Sequence, residues 1–141
     1  MLCSRVIEFD SGHRLVNHEG KCAKLHGHRY KAEFYFISKN LDNIGRVIDF
    51  GTIYSCLGGW INKCLDHNTI LNKKDKALGD SIELLLGQKV YYMESNPTAE
   101  NIAYHLLHDI CDLVIEDKNV VCVKIKLWET PNCFVEVWRD K

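Results

Sequence analysis

Bulky apolar and polar positions alternate at both ends of this chain, and two stretches of helical spacing lie between. Residues Leu2 to His13 carry Val6, Phe9 and other bulky side chains in an extended run and predict a first strand. Val16 to Leu25 reads as a loop carrying His18, Gly20 and Cys22. Arg29 to Ser38, rich in aromatic and β-branched residues, predicts a second strand, and a connection of this length favours an antiparallel pair. Lys39 to Arg46 is a polar turn with Asn40, Asp42, Asn43 and Gly45. Ile53, Leu57, Ile61, Cys64 and Leu65 then recur at three and four, a helix that Asp49 caps. Gly58-Gly59 inside it costs about 1 kcal/mol per glycine relative to Ala, which predicts a close approach by another group.

Leu65 to Asn72 reads as a loop, and Lys73 to Lys89 has the least pattern, with a short helix at Ser81–Leu86. Val90 to Met93 predicts a short strand. Asn96-Pro97-Thr98-Ala99-Glu100 is a helix start, with Asn as cap and Pro in the first helical position. Ile102, Leu106, Ile110 and Leu113 form one stripe along it, with Ala103, Leu107 and Val114 flanking. Val120 to Trp128 is a strand, Glu129 to Asn132 a turn, and Cys133 to Trp138 the returning strand. The order is ββααββ with a possible extra strand before the second helix, an α+β arrangement in a single domain spanning 1–141.

Composition narrows the function. A chain of 141 residues buries about 68% of its unfolded surface, enough for a real core. A formal charge of −1 argues against nucleic acid as a partner, which leaves a basic footprint. No apolar run reaches the ~18 residues of a membrane span, and the first residues lack the apolar core of an export signal. Seven cysteines with no CxxC pair fit neither a disulfide framework nor a zinc ribbon, and predict a reducing, cytoplasmic location. Five of them, Cys56, Cys64, Cys111, Cys122 and Cys133, lie in apolar patterns and read as small buried hydrophobes.

The candidate chemistry gathers at Cys22-Ala-Lys-Leu-His26-Gly-His28. Side chains two apart on a strand share a face at a spacing of roughly 6.6 Å, so His26 and His28 can meet one metal ion. Antiparallel pairing brings His13 opposite them, completing a three-imidazole set that suits zinc and leaves an open position. Cys22 has two readings that spacing does not separate: a fourth ligand that closes the site, or a thiolate acid/base group beside the cation. Asp66-His67 is either a solvated cap or a polarised acid/base pair. Glu129 is either an exposed turn acid or a carboxylate that accepts two hydrogen bonds from a guanidine-like ring edge. A non-catalytic zinc-binding module is the rival from another class.

Taken together, Phe9-x3-His13-Arg-Leu, Cys22-x3-His26-Gly-His28, Asp49-Phe-Gly, Leu65-Asp-His67, Pro97-Thr-Ala-Glu-Asn101 and Trp128-Glu-Thr130 resemble the 6-pyruvoyltetrahydropterin synthase / 6-carboxytetrahydropterin synthase family. The match runs from about Phe9 to Glu129, and Lys73 to Lys89 is its least matched part. The resemblance implies a tunnelling fold (T-fold): a four-stranded antiparallel sheet with two helices on one face, three subunits closing a barrel and two trimers stacking into a homohexamer. It implies zinc on His13, His26 and His28, catalysis by Cys22 with Asp66 and His67 reaching it across a subunit interface, and a pterin anchored by Glu129. The three-residue spacer before His26-Gly-His28 resembles the queuosine-pathway, carboxy-forming branch. That branch takes 7,8-dihydroneopterin triphosphate and releases acetaldehyde and triphosphate. The pyruvoyl-forming branch of the tetrahydrobiopterin pathway, which keeps all side-chain carbons, is the alternative. Arg14, Lys21 and Lys24 lie near enough in sequence to meet the triphosphate.

Overall fold

The computed structural model describes residues 1–140. Strands β1 (Leu2–His13) and β2 (His26–Ser38) form the long antiparallel pair expected from their patterning, with His13 opposite His26 and Ser11 opposite His28. Period two puts Ile7, Phe9, Ser11 and His13 of β1 on one face with Tyr30, Ala32 and Phe34 of β2, and all seven are buried. Phe9 and Tyr30 stack at 5.1 Å between ring centres.

Helix α1 is continuous through Phe50–Ile53, a π-helical stretch Tyr54–Gly58 and Gly59–Cys64. Asp49 caps it as expected, its carboxylate accepting from the Thr52 N–H at 3.1 Å. The predicted close approach holds at Gly58, where an added Cβ meets the Tyr54 ring at 3.1 Å, but Gly59 faces open space. Helix α3 runs through Ala99–His105, a π-helical stretch Leu106–Ile110 and Cys111–Val114. Its cap is Thr98, not Asn96: Thr98 accepts from the Asn101 N–H, while Asn96 bonds both backbone groups of Val16 at 2.9 Å. Ile53, Leu57 and Ile61 of α1 and Ile102, Leu106 and Ile110 of α3 join the buried sheet face in one core.

Among the described residues the sheet has six strands, not four, in the spatial order β4 (Val90–Met93), β3 (Asn68–Asn72), β1, β2, β5 (Val120–Thr130) and β6 (Cys133–Trp138). Residues Asn68–Asn72, expected to be loop, form β3, which runs parallel to β1. The reason is burial on both faces: Thr69, Ile70, Leu71 and Asn72 are all inside, so no alternation marks the strand. The predicted short strand Val90–Met93 is β4, parallel to β3. Strands β5 (Val120–Thr130) and β6 (Cys133–Trp138) complete the antiparallel side.

A third helix, α2 (Lys76–Leu86), extends the predicted Ser81–Leu86 segment back to Lys76, so among the described residues three helices accompany the sheet rather than two. It buries Ile82 and Gly79 against the β3–β4 side. A Cβ on Gly79 would lie 1.9 Å from the Tyr92 hydroxyl oxygen and 2.7 Å from the ring carbon bearing it. Helix propensity favours Ala by about 1 kcal/mol, whereas overpacking costs about 1–3 kcal/mol, so the clash wins. Gly79→Ala is therefore expected to lower stability by about 1–2 kcal/mol in urea unfolding; an unchanged midpoint would mean Tyr92 swings aside freely.

Candidate functional site

At one end of the buried sheet face the aromatic side chains give way to imidazoles. His28 follows Tyr30 on β2 and His26 follows His28, while His13 sits opposite His26 on β1. The three rings offer nitrogens within 4.8 Å of one another, as the hairpin register predicts. His13 is buried, and the other two are half-buried.

Their tautomers follow from their partners. The Pro97 carbonyl lies 2.7 Å from His13 Nδ1, and the Lys24 carbonyl lies 2.7 Å from His26 Nδ1. A carbonyl only accepts, so each Nδ1–H donates and each Nε2 turns a lone pair inward. The Nε2 atoms of His13 and His26 stand 3.2 Å apart, a contact that two lone pairs hold only around a shared cation or proton. Burial is the main influence lowering the His13 pKa, against the Pro97 hydrogen bond, and His26 adds to it. Burial also lowers that of His28 against the charge of Glu129. Both effects disfavour the proton and keep the neutral form that a metal needs. Zinc at about 2.05 Å from each of two tetrahedral ligands separates them by roughly 3.3 Å, so this donor set fits it. Tyr30 closes the inner side, its hydroxyl 3.2 Å from His13 Nδ1. Burial, with the Glu129 charge, pushes its pKa far up and keeps it protonated.

Glu129, expected in a turn, lies within β5, where the pairing with β6 shifts register between Trp128 and Thr130. A bulge of this kind re-aims a side chain. Here the carboxylate stands 3.7 Å from His13 Nε2 and 3.9 Å from His28 Nε2. Among the described residues it accepts no hydrogen bond and pairs with no lysine or arginine.

Asp66 and His67 stand at the start of β3, beside Asp10 of β1. The Asp66 carboxylate takes the Asp10 N–H at 2.8 Å through one oxygen and contacts His67 Nδ1 at 2.8 Å through the other. Burial raises the Asp66 pKa, but those two hydrogen bonds outweigh it and leave it below the ordinary carboxylate value. The same hydrogen bond raises the His67 pKa. His67 adopts a φ of 54°, a left-handed conformation costing a non-glycine residue about 1 kcal/mol.

Cys22 sits half-buried on a single 3-10 turn, Lys21–Ala23, pinned by the Leu15 N–H to its carbonyl at 2.9 Å. Within one chain it joins neither the imidazole triad nor the Asp10–Asp66–His67 group. Two cavities of about 420 and 520 Å³ share His28 and Arg29; His67 lines the first, Trp128 and Glu129 the second. Arg14 is turned away into an ion pair with Asp75 at 3.1 Å, while Lys21 and Lys24 are exposed. Patterning overlooked Asp10, Tyr30 and the Pro97 carbonyl. Only Tyr30 left a signal, being two residues beyond His28 on the same face.

Solved structures share this fold. An uncharacterised protein from Wolinella succinogenes aligns at a TM-score of 0.81 and 21% identity over 99% of this chain and 98% of that one. The 6-pyruvoyl tetrahydropterin synthase of Caenorhabditis elegans aligns at 0.72 and 20% identity over 99% and 96%. The class is thus a T-fold protein whose sheet ends in three convergent imidazoles. The chain belongs to the 6-pyruvoyl tetrahydropterin synthase family, whose model matches residues 2–140. Among its relatives, the 6-carboxy-5,6,7,8-tetrahydropterin synthase of Rickettsia bellii is 51% identical over 96% of this chain and 98% of its own length. The enzyme of the same name from Haemophilus influenzae is 33% identical over 94% and 95%.

Proposed function

We propose that this chain is a 6-carboxy-5,6,7,8-tetrahydropterin synthase that converts 7,8-dihydroneopterin triphosphate and one water to 6-carboxytetrahydropterin, releasing acetaldehyde and triphosphate, on the route to queuosine. The observation that carries the proposal is the inward-facing imidazole triad on a chain half identical to relatives of that name. His13, His26 and His28 would hold a zinc ion, which supplies a Lewis acid for the hydroxyls of the substrate side chain. Cys22 moves a proton to or from the side-chain carbons, and Asp66 holds His67 as the partner that keeps the thiol poised. The ring gains the electrons that the side chain loses, so no nicotinamide takes part.

Glu129 anchors the pterin edge. Its carboxylate lines a cavity and accepts no hydrogen bond from the described residues, which leaves it free to accept two ring N–H groups. Hydrogen bonds to charged groups contribute about 1.5–3 kcal/mol, so Glu129→Gln is expected to raise KM about 10- to 100-fold with metal content unchanged. Loss of metal in that variant would make Glu129 a ligand instead.

The separation of Cys22 from Asp66 and His67 within one chain supports a site shared between subunits of a homohexamer. Two open sheet edges, β4 and β6, and the exposed Phe134, Trp138 and Leu84 to Leu86 support assembly as well. Seven free thiols favour the cytoplasm; no helix among the described residues is long and apolar enough to cross a membrane. The deciding experiment incubates metal-replete protein with 7,8-dihydroneopterin triphosphate and follows products by mass spectrometry. Acetaldehyde with 6-carboxytetrahydropterin is expected, and a pyruvoyl product without acetaldehyde overturns the assignment.

A further inference from the structure

The stretch Lys73 to Lys89, the part least matched by the family motifs, carries next to its end a residue, Gln88, that reaches His67. Helix α2 stops at Gly87, whose φ of 64° is the left-handed turn that glycine adopts without a steric penalty. The turn delivers Gln88 to the wall of the 420 Å³ cavity, where its side-chain amide lies between two partners. Its Nε2 donates to the His67 carbonyl at 3.0 Å, and its Oε1 accepts from the Thr69 hydroxyl at 2.7 Å. The amide has one workable orientation: the carbonyl only accepts, so the NH₂ faces His67 and the oxygen faces the hydroxyl. Thr69 is only 3% exposed, so Gln88 is itself held from a buried anchor.

His67 needs such support. Its backbone is left-handed, its imidazole is 78% exposed, and the ring's hydrogen bond is the one to Asp66. Packing therefore does little to aim the ring, and the backbone conformation sets its direction. The His67 N–H donates to the Asp10 carbonyl at 2.7 Å, so with Gln88 on its carbonyl both backbone groups are held.

We propose that Gln88 is a positioning residue that locks His67 in its left-handed conformation and thereby aims the imidazole from Asp66 into the cavity. This rests on the reading of Asp66 and His67 as the proton-handling pair. The charged groups that face His67 are Asp66, Asp10 and Arg29, and among the described residues Gln88 hydrogen-bonds none of them. Removing Gln88 thus changes the geometry of His67 and not the charges around it.

Gln88→Leu, close in size, deletes both hydrogen bonds. Small misplacements of a catalytic group cost up to about 100-fold, so kcat is expected to fall about 10- to 100-fold, with KM changed less than about twofold. The His67 titration, followed by NMR, is expected to move down toward the ordinary value of about 6.5 as the ring leaves Asp66. In a His67→Ala background the same substitution should cause no further loss of kcat. An unmoved His67 titration, or a second loss of equal size in that background, overturns the proposal. Should Gln88→Leu fail to fold, Thr69→Val removes the anchor with little change in shape; a smaller downward shift of the same titration is expected and an unmoved one overturns the proposal. Full turnover by His67→Ala would instead overturn the acid/base reading, while the titration still decides whether Gln88 holds the ring.

Discussion

Cys22→Ala is expected to purify as a folded, metal-loaded protein whose turnover is lower by about 10³-fold or more. Positioned proton transfer contributes about 10²–10⁴-fold, and a methyl group has no proton to move. The fold should tolerate the change, because Cys22 is half-buried on a 3-10 turn whose hydrogen bond to Leu15 is made by the backbone. Metal should stay, because the thiol lies outside the imidazole triad. Metal analysis and acetaldehyde release on the same sample provide the check. A variant that has lost its metal would make Cys22 a ligand and remove it from catalysis.

The second large effect is expected for His28→Ala, which should lose both metal and turnover while remaining folded. Partners behind a ligand are worth about 10- to 100-fold in metal affinity, and the ligand itself is worth more. His28 is a better test than His13. His13 is 1% exposed and bonded to Pro97, so its loss also opens a cavity and frees a buried carbonyl. His28 is half-buried, and its substitution leaves Phe9, Tyr30 and the hairpin register in place. Full metal occupancy in a folded His28→Ala protein would break the three-ligand assignment. Acid should act in the same direction as the substitution: burial depresses the pKa of His13 and His28, so both remain neutral below the usual histidine range and release metal only on further acidification.

Much of the site was legible because strand periodicity is local. His26 and His28 share a face through period two, and one antiparallel hairpin brings His13 opposite, so three convergent imidazoles follow from one stretch of chain. The parallel side of the sheet was not legible. Strand β3 is buried on both faces, so it lacks alternation, and its pairing with β1 crosses more than fifty residues. Without that pairing Asp66 and His67 look like a loop pair, and nothing in the pattern links them to Asp10. By pattern alone Glu129 falls in a turn, because Pro131 and Asn132 follow it, whereas tertiary pairing carries β5 through Thr130.

By itself the chain's pattern determined the hairpin, the Asp49 cap of α1, and the identity of the three imidazoles, all consequences of contacts between near neighbours. The tertiary structure alone decided the conditions around them: the carbonyls of Pro97 and Lys24 that set the tautomers, the bulge that turns Glu129 toward the triad, and the Gln88 amide that holds His67. Those partners include backbone atoms and groups distant in sequence, and no residue-by-residue periodicity encodes where a distant carbonyl or amide comes to rest.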